Sequence, residues 1–287
     1  MTVRVGVSGW SYRHWRGRFY PSGLPASSEL AYAAERFTSI EINRTFYSLA
    51  SPSLFRRWYL TAPPGFEYAV KGSRFITHNL KLEGVESALA NFCASGLLEL
   101  KEKLGPILWQ LSPRIALNAG RLESFLALLP ADTLEVAAQA ASHTLPSREV
   151  TVEPRGRFTV RHALELRHPS FLIPEVVELA RRHRVALAFS HSSQWPYIEE
   201  ITAGFVYLRL HGPGRLYASR YTAAELRQWS DRIHSWARGE QPPDARGITG
   251  RQPPPCKTRD VYVYFDNDAS GYAPRQALQL ARIAGTG

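Results

Sequence analysis

Three short apolar stretches of the chain each carry two polar residues that are spaced two positions apart. The pairs are Glu41 with Asn43, Glu165 with Arg167, and Arg209 with His211. Residues two apart on a β-strand point to the same side, so each pair would present both of its groups to one surface. Carboxylates and imidazoles transfer protons, and guanidiniums bind anions. The spacing therefore predicts a polar cup that holds an anionic substrate and moves its protons.

Acid–base chemistry in this cup would need one group that accepts a proton and another that donates it. Glu41 or Glu165 is the candidate base, and His168 or His211, both near strand ends, is the candidate acid. In the alternative interpretation, the two carboxylates pair with the neighbouring arginines in a buried ion-pair network without a catalytic role. Each histidine would then supply only an orienting hydrogen bond. The residue types leave both interpretations open.

Lys71 ends a further apolar stretch of this arginine-rich, lysine-poor chain. A lysine at a strand end can hold an anionic group, form a Schiff base with a carbonyl, or neutralise a carboxylate. A Schiff base needs a lowered lysine pKa, which the sequence does not display, so anion binding is preferred. Lys71, Arg167 and Arg209 are the predicted anion ligands.

Aromatic side chains crowd the segment 10–20, just beyond the first apolar stretch. Trp10 and Tyr12, together with Tyr47, are candidates for stacking on a sugar ring or a base of the substrate. The same rings can instead form an apolar plug that packs on the rim of the fold. Both interpretations are kept.

Eight short apolar stretches alternate with helix-like segments along the 287 residues. They are 3–8, 39–42, 66–70, 107–109, 163–166, 185–189, 205–210 and 261–265. Eight strand–helix units predict an α/β fold, a single-domain TIM-type (β/α)8 barrel, whose active site lies at the carboxyl ends of its strands. Most of the candidates above lie at or just beyond such an end, so the barrel would collect them on one face.

Two segments interrupt the alternation and are interpreted as insertions, near 130–161 and 237–259. The first contains a possible hairpin of 149–153 with 157–161. The second is rich in proline, glycine and arginine and is predicted to be an exposed loop. Because it enters the last strand from the amino-terminal side, we expect it to lie far from the catalytic face.

Asn267 and Asp268 follow the last apolar stretch, where the final loops of a TIM barrel frequently bind phosphate. Both are predicted to contact the substrate. Asn43, Gln110 and Asn267 would orient its hydroxyl or carbonyl groups. The glycines of this region match neither a P-loop nor a GxGxxG motif.

The formal charge of +10 predicts attraction to phosphate, on a small metabolite or on nucleic acid. No apolar run approaches the roughly 20 residues that span a bilayer, and the first residues lack a signal-peptide layout. Cys93 and Cys256 form no CxxC pair. We therefore expect a cytoplasmic protein without a membrane partner, and the oligomeric state is left open.

No cofactor can be assigned from the sequence, and a divalent metal is an alternative. Side chains of the right ligand types are Glu41, Glu165, His168, His191, His211, Asp266 and Asp268. No HxH, HxxxH or CxxC spacing brings them together locally, so no residue is assigned as a metal ligand.

Several motifs, in this order along nearly the whole chain, resemble the domain-of-unknown-function-72 family, also called YecE-like proteins. They include Val7-Ser8-Gly9-Trp10-Ser11-Tyr12, Glu41-Ile42-Asn43, Thr77-His78, Glu165-x-Arg167-His168-Pro169-Ser170, Tyr207-x-Arg209-Leu210-His211-Gly212 and Asn267-Asp268. The resemblance implies a TIM-like barrel whose activity is not established. His191 departs from the family pattern, which more often has an acidic residue there.

The combined prediction is an enzyme that acts on a small anionic substrate, phosphorylated or carbohydrate-like, by hydrolysis, isomerisation or a lyase step. One alternative is a nucleic-acid-binding or processing protein that uses the basic surface and the aromatic first loop. Another is a barrel that binds a ligand without catalysis.

Overall fold

The computed structural model describes residues 2–146 and 150–286, which fold into parallel strands surrounded by helices. The strands are β1 (Val3–Ser8), β2 (Ser39–Ile42), β3 (Glu67–Lys71), β4 (Leu104–Gln110), β5 (His162–Glu165), β6 (Ala186–Leu187), β7 (Phe189–His191), β8 (Phe205–Leu210) and β9 (Asp260–Phe265). Their order in the sheet is β6-β5-β4-β3-β2-β1-β9-β8-β7, with parallel neighbours throughout. The predicted TIM-type barrel is confirmed.

The barrel is nearly closed at the sixth predicted strand, which consists of two short strands. β6 pairs with β5, whereas β7 pairs with β8. Between them, the N–H of Ala188 donates to the carbonyl of Leu164 at 2.9 Å. The stretch 185–189 therefore changes its pairing partner at Ala188, and one run of chain supplies both edges of the sheet.

The fourth strand begins earlier than the sequence predicts. Leu97–Lys103 is a 3-10 segment, and β4 begins at Leu104 instead of at residue 107. Lys101 interrupts the helical backbone with a positive φ of 50°. Gly105 lies inside the strand, where a Cβ atom would come within 2.9 Å of the carbonyl oxygen of Tyr68. Glycine there serves close strand packing rather than a helix stop.

The helices lie outside the sheet and turn their apolar faces towards it. They are α1 (Glu29–Ala34), α2 (Arg44–Tyr47), α3 (Pro52–Thr61), α4 (Glu86–Ala94), α5 (Ala119–Ala127), α6 (Thr133–Ala140), α7 (Pro174–Arg182), α8 (Ala223–Ala237) and α9 (Ala273–Ile283). A capping box begins α8: Thr222 Oγ1 accepts from the N–H of Glu225 at 3.2 Å. None of the helices in the described ranges combines the length and apolar character needed to cross a membrane.

The barrel interior is filled by large rings on one side and small side chains on the other. Tyr207, Tyr262 and Tyr264 are fully buried and face a set of inward-pointing alanines, Ala69, Ala163, Ala186 and Ala188. The Tyr207 hydroxyl donates to Glu41 Oε2 at 2.6 Å. The Tyr207 hydroxyl is thus directed into the polar layer above the rings, whereas the hydroxyls of Tyr264 and Tyr262 bond Ser39 and Glu67 at the amino-terminal ends of their strands.

The predicted hairpin within the first insertion does not form among its described residues; Glu149 lies outside them. Instead, Thr159 makes an isolated antiparallel bridge with Asp132. The N–H of Thr133 donates to the carbonyl of Phe158 at 3.0 Å, so this segment pairs with the start of α6. In the second insertion, the N–H of Ile248 donates to the buried Glu200 carboxylate at 2.6 Å.

Candidate functional site

Arg209 is the centre of the polar layer at the carboxyl ends of the strands. Its fully buried guanidinium donates to Glu41 Oε1 at 2.8 Å, Glu165 Oε2 at 2.7 Å and Asp266 Oδ2 at 3.0 Å. Burial lowers its pKa, but these carboxylates outweigh that effect and raise the pKa well above its usual value. Arg209 is therefore a fixed cation whose donors are directed at protein groups.

Glu41, one of the two candidate bases, has both carboxylate oxygens occupied. Oε1 accepts from the hydroxyl of Ser8 and from Arg209, and Oε2 accepts from Tyr207 and Arg209. Four donors to one carboxylate are as many as its lone pairs accommodate. To accept a substrate proton, Glu41 would have to give up one of these bonds.

Glu165, the other candidate base, is also fully buried and accepts three hydrogen bonds. Oε1 accepts from Arg167 Nε at 2.9 Å and Ser190 Oγ at 3.2 Å, and Oε2 accepts from Arg209. Burial raises its pKa, but Arg167, Arg209 and His211 more than compensate and hold the pKa well below its usual range. Glu165 is thus an ionised group with little tendency to take up a proton.

His211 lies between two carboxylates of this network. Its Nδ1 is 3.1 Å from Asp266 Oδ2 and its Nε2 is 3.6 Å from Glu165 Oε1. Neither nitrogen has a hydrogen-bond partner of good geometry among the described residues, although the ring is fully buried. Burial raises the pKa of Asp266, but Arg209 and His211 lower it to about 2. His211 therefore retains hydrogen-bonding capacity beside two ionised groups.

Lys71, the last residue of β3, is the least engaged cation of the cup. Its ammonium lies 4.3 Å from the centre of the Phe46 ring, and it makes no hydrogen bond or ion pair among the described residues. Burial and the neighbouring Arg209 lower its pKa to about 8, against the opposing effect of nearby carboxylates. An anion arriving in the cup would find this group free to bind it.

His78 is a cup residue that sequence reasoning missed as a candidate. It lies on the π-helical turn Phe75–Asn79, with Nδ1 2.9 Å from Thr77 Oγ1. Its ring meets the ring of Phe46 edge-on at 5.2 Å. Burial, Arg167, Arg74 and Lys71 lower its pKa to about 4, so the imidazole is neutral near pH 7. The signal available in the sequence was the Thr77-His78 motif.

Arg167 lies beside Glu165 and close enough to His78 to contribute to its lowered pKa. Besides Glu165, its guanidinium contacts the Tyr217 hydroxyl at 3.4 Å and lies 4.5 Å from the ring centre of Trp195. Tyr217 has a positive φ of 59° and contacts the His211 ring edge-on at 5.4 Å. The described chain thus places Arg167, a predicted anion ligand, within a partly aromatic wall.

The aromatic residues of the first loop fall into two groups: some pack in the protein interior and others line a groove at the surface. Trp15 is buried and contacts Phe19 edge-on at 5.4 Å, as in the plug interpretation. Trp10 and Tyr12 instead line a groove of about 690 Å³ outside the cup, together with Asn43 and the exposed Tyr47. The structure therefore brings these four predicted substrate contacts together at the rim.

Three predicted site residues hold loops in place. His168 caps the turn Pro169–Phe171, with Nδ1 accepting from the N–H of Ser170 at 3.2 Å. Asn267 Nδ2 donates to Gln276 Oε1 at 2.7 Å. Asp268 binds Trp15 Nε1 and lies 2.8 Å from His14 Nε2, and burial raises its pKa to about 6. These contacts place them beside the cup and not on its floor.

Alternation along the strands explains the position of two further residues. Gln110 is buried at the end of β4 in register with Glu165, so it borders the cup. His191 follows the inward-facing Ser190 and therefore points outwards, where Nδ1 is 2.9 Å from the Tyr221 hydroxyl. The departure from the family pattern at His191 thus lies outside the cup.

No group of three or more His, Cys, Asp or Glu side chains among the described residues is arranged to hold a metal ion. In the cup, the reason is that Arg209 occupies the space between Glu41, Glu165 and Asp266. Because the Arg209 guanidinium donates to all three carboxylates, their oxygens are directed at its N–H groups and not at a metal position.

Comparison with known proteins agrees with this geometry at the level of the fold. The chain is similar to a DUF72 family protein from Thermotoga maritima, with a TM-score of 0.73 and 23% identity, covering 99% of this chain and 100% of that one. It is also similar to a DUF72 family protein from Enterococcus faecalis, with a TM-score of 0.69 and 15% identity, covering 100% of this chain and 96% of that one. No curated protein matches it. The family described as "Protein of unknown function DUF72" matches residues 4–287, and the chain belongs to that family.

Proposed function

We propose that this protein is an enzyme that acts on a small anionic substrate, phosphorylated or carbohydrate-like, at the carboxyl ends of the barrel strands. One observation carries the proposal: the buried Lys71 ammonium has no ionic partner among the described residues. Every carboxylate around it is already paired with Arg209. A buried cation without a partner is costly, and a bound anion would remove that cost.

The anionic group of the substrate binds Lys71 and Arg167 in this proposal. Arg209 stays within the network and fixes the carboxylates, and Gln110 and Asn43 orient hydroxyl or carbonyl groups. An anion beside Lys71 favours the charged form of the lysine. Binding and lysine protonation are therefore coupled, and substrate affinity should fall as the pH rises through the lysine pKa of about 8.

Proton transfer is assigned to imidazoles and not to the glutamates. Glu41 accepts from four donors, Glu165 accepts from three and its neighbours hold its pKa well below the usual range, and both act as positioning residues. His211 has two ring nitrogens without hydrogen-bond partners among the described residues. His78, neutral near pH 7, contacts the same Phe46 ring as Lys71. We assign proton transfer to His211, with His78 as the second group.

The test is binding of inorganic phosphate and ribose 5-phosphate, measured by thermal shift and calorimetry. Ligands that bind only the folded state raise its melting temperature. We expect both ligands to stabilise the protein, Lys71→Met to abolish the shift, and Lys257→Met, at an exposed lysine, to leave it unchanged. An equal shift in wild type and Lys71→Met would place the anion elsewhere and overturn the proposal.

A second candidate function, nucleic-acid binding, is favoured by the rim. Tyr47 is 70% exposed beside Arg44 and Arg57, a combination that suits stacking and phosphate contact. This candidate predicts that affinity for short oligonucleotides falls steeply between 50 and 200 mM salt. Absent or salt-independent binding would remove it.

A further inference from the structure

The groove outside the cup has the dimensions of a small-molecule site. It encloses about 690 Å³ between the loop after β1 and the helices α1, α2 and α3, within the range of roughly 300–1,000 Å³ that ligand pockets span. Leu54 and Trp58 form part of its wall, and Trp10 meets Trp58 edge-on at 5.8 Å. Aromatic and aliphatic walls of this kind accommodate a planar ring.

The charge of the groove is positive. Arg44 and Arg57 line it, and no aspartate or glutamate does. Neither arginine forms an ion pair among the described residues, and both are exposed. Guanidiniums in this setting stack on aromatic faces and attract anionic ligands.

Asn43 joins the groove to the cup. Its Nδ2 donates to Ser8 Oγ at 2.9 Å, within the network around Arg209, while the residue also lines the groove. Its Oδ1 is buried and lacks a hydrogen-bond partner among the described residues. An unsatisfied buried acceptor has a free-energy cost, which a donor on a ligand would relieve.

Helix α2 separates the two compartments by a single turn. Phe46 on this helix contacts the Lys71 ammonium in the cup, whereas Arg44 and Tyr47 on the same helix line the groove. The groove and the Lys71 ammonium therefore lie on the two sides of one helical turn.

We propose that the groove is the ring compartment of the same site and takes the planar aromatic ring of a ligand whose anionic group lies on Lys71. The ligand class is a small aromatic anion, for which a nucleoside monophosphate is the probe. Trp10 and Tyr47 contact the ring, and Asn43 Oδ1 accepts a hydrogen bond from it or from an adjoining hydroxyl. The inference rests on the proposed function, from which it takes the anion position.

The experiment compares adenosine 5′-monophosphate with ribose 5-phosphate, which has the same anion but no ring, by calorimetry. Base–aromatic stacking predicts that the nucleotide binds at least about tenfold more tightly. Trp10→Ala and Tyr47→Ala should bring nucleotide affinity down to that of ribose 5-phosphate and leave ribose 5-phosphate binding unchanged. Leu60→Ala, at an exposed residue of α3 outside the groove, is the matched control.

The outcomes separate this inference from the proposed function. Equal affinities for the two ligands, both dependent on Lys71, would overturn the ring compartment and leave the proposed function standing. Nucleotide binding that survives Lys71→Met but not Trp10→Ala would overturn the shared site. A short oligonucleotide that binds more than about tenfold tighter than the monophosphate, through the same Trp10, would assign the groove to nucleic acid. If Trp10→Ala does not fold, Tyr47→Ala decides, because Tyr47 is 70% exposed.

Discussion

The two sides of the cup differ in how completely their polar groups are paired. On one side, Arg209 and three carboxylates satisfy one another at 2.7–3.0 Å. On the other side, the Lys71 ammonium lies over the Phe46 ring with no hydrogen bond or ion pair among the described residues, and His78 contacts the same ring edge-on. Charge alone does not distinguish the two sides, since both contain buried ionisable groups. The two sides differ in pairing: the paired groups hold one another in place, whereas Lys71 has no ionic partner among the described residues.

The largest expected effect is on the paired side. Arg209→Met removes the counter-charge of three carboxylates, two of them fully buried, so we expect the free energy of unfolding to fall by roughly 3–5 kcal/mol. Urea denaturation followed by circular dichroism measures this loss. The control is Arg238→Met, which breaks an exposed ion pair with Glu240 and should change stability little. Similar losses in both variants would contradict the comparison.

On the unpaired side, the charged group should lower the free energy of unfolding, whereas Arg209 on the paired side raises it. Because the folded pKa of Lys71, about 8, is below the unfolded value of about 10.4, burial destabilises the protein at neutral pH. Its contribution becomes more favourable as the pH rises from about 8 to about 10.4. The free energy of unfolding of wild type, relative to Lys71→Met, should therefore increase across that window by roughly 2–4 kcal/mol. A pH-independent difference would show that Lys71 is not isolated.

The pH dependence of stability that Asp266 contributes is a second test of the paired side. Its folded pKa of about 2 lies below the unfolded value of about 3.9, so its contribution is present above pH 3.9 and is lost as the pH falls through 2. Asp266→Asn should cost roughly 2 kcal/mol at pH 7, and this difference should shrink between pH 4 and pH 2. Asp244→Asn, at a side chain 72% exposed, is the control. A constant difference at all pH values would refute the assignment.

The smallest effect concerns a loop residue beside the cup. His168→Ala removes the cap of a short turn and should lower the free energy of unfolding by about 1 kcal/mol. Phosphate affinity, measured by calorimetry, should stay within about twofold of wild type. A large loss of phosphate affinity would make His168 a candidate acid again and would place it among the residues of the cup.

The barrel could be predicted from the sequence because its strands are short apolar runs of fixed period. β1, β2 and β8 lie where the sequence places them. Alternation also predicts that Glu165 and Arg167 share a side. The same alternation, applied further, directs His168 and Asn267 away from that side, since each follows an inward residue.

The pairing within the cup could not be predicted in the same way. Ser8 and Tyr207 both bind Glu41, from strands far apart in sequence, and neither belongs to an obvious polar motif. Which donor meets which acceptor depends on strand register and on side-chain direction inside the barrel. His78 was missed for a related reason, because it lies on a π-helical turn, where neither a period of two nor a period of 3.6 applies.

The pairing of β1 with β9 joins the first and last strands of the barrel, so the sheet cannot close until synthesis of the chain is nearly finished. Val3 pairs with Val261 and Val7 with Phe265, so two segments more than 250 residues apart form one seam of the barrel. During translation, β1 leaves the ribosome long before its partner exists and has an unpaired edge that can pair wrongly. Closure of the sheet must wait until β9 has been synthesised, which makes the late-emerging residues decisive for the yield of folded protein.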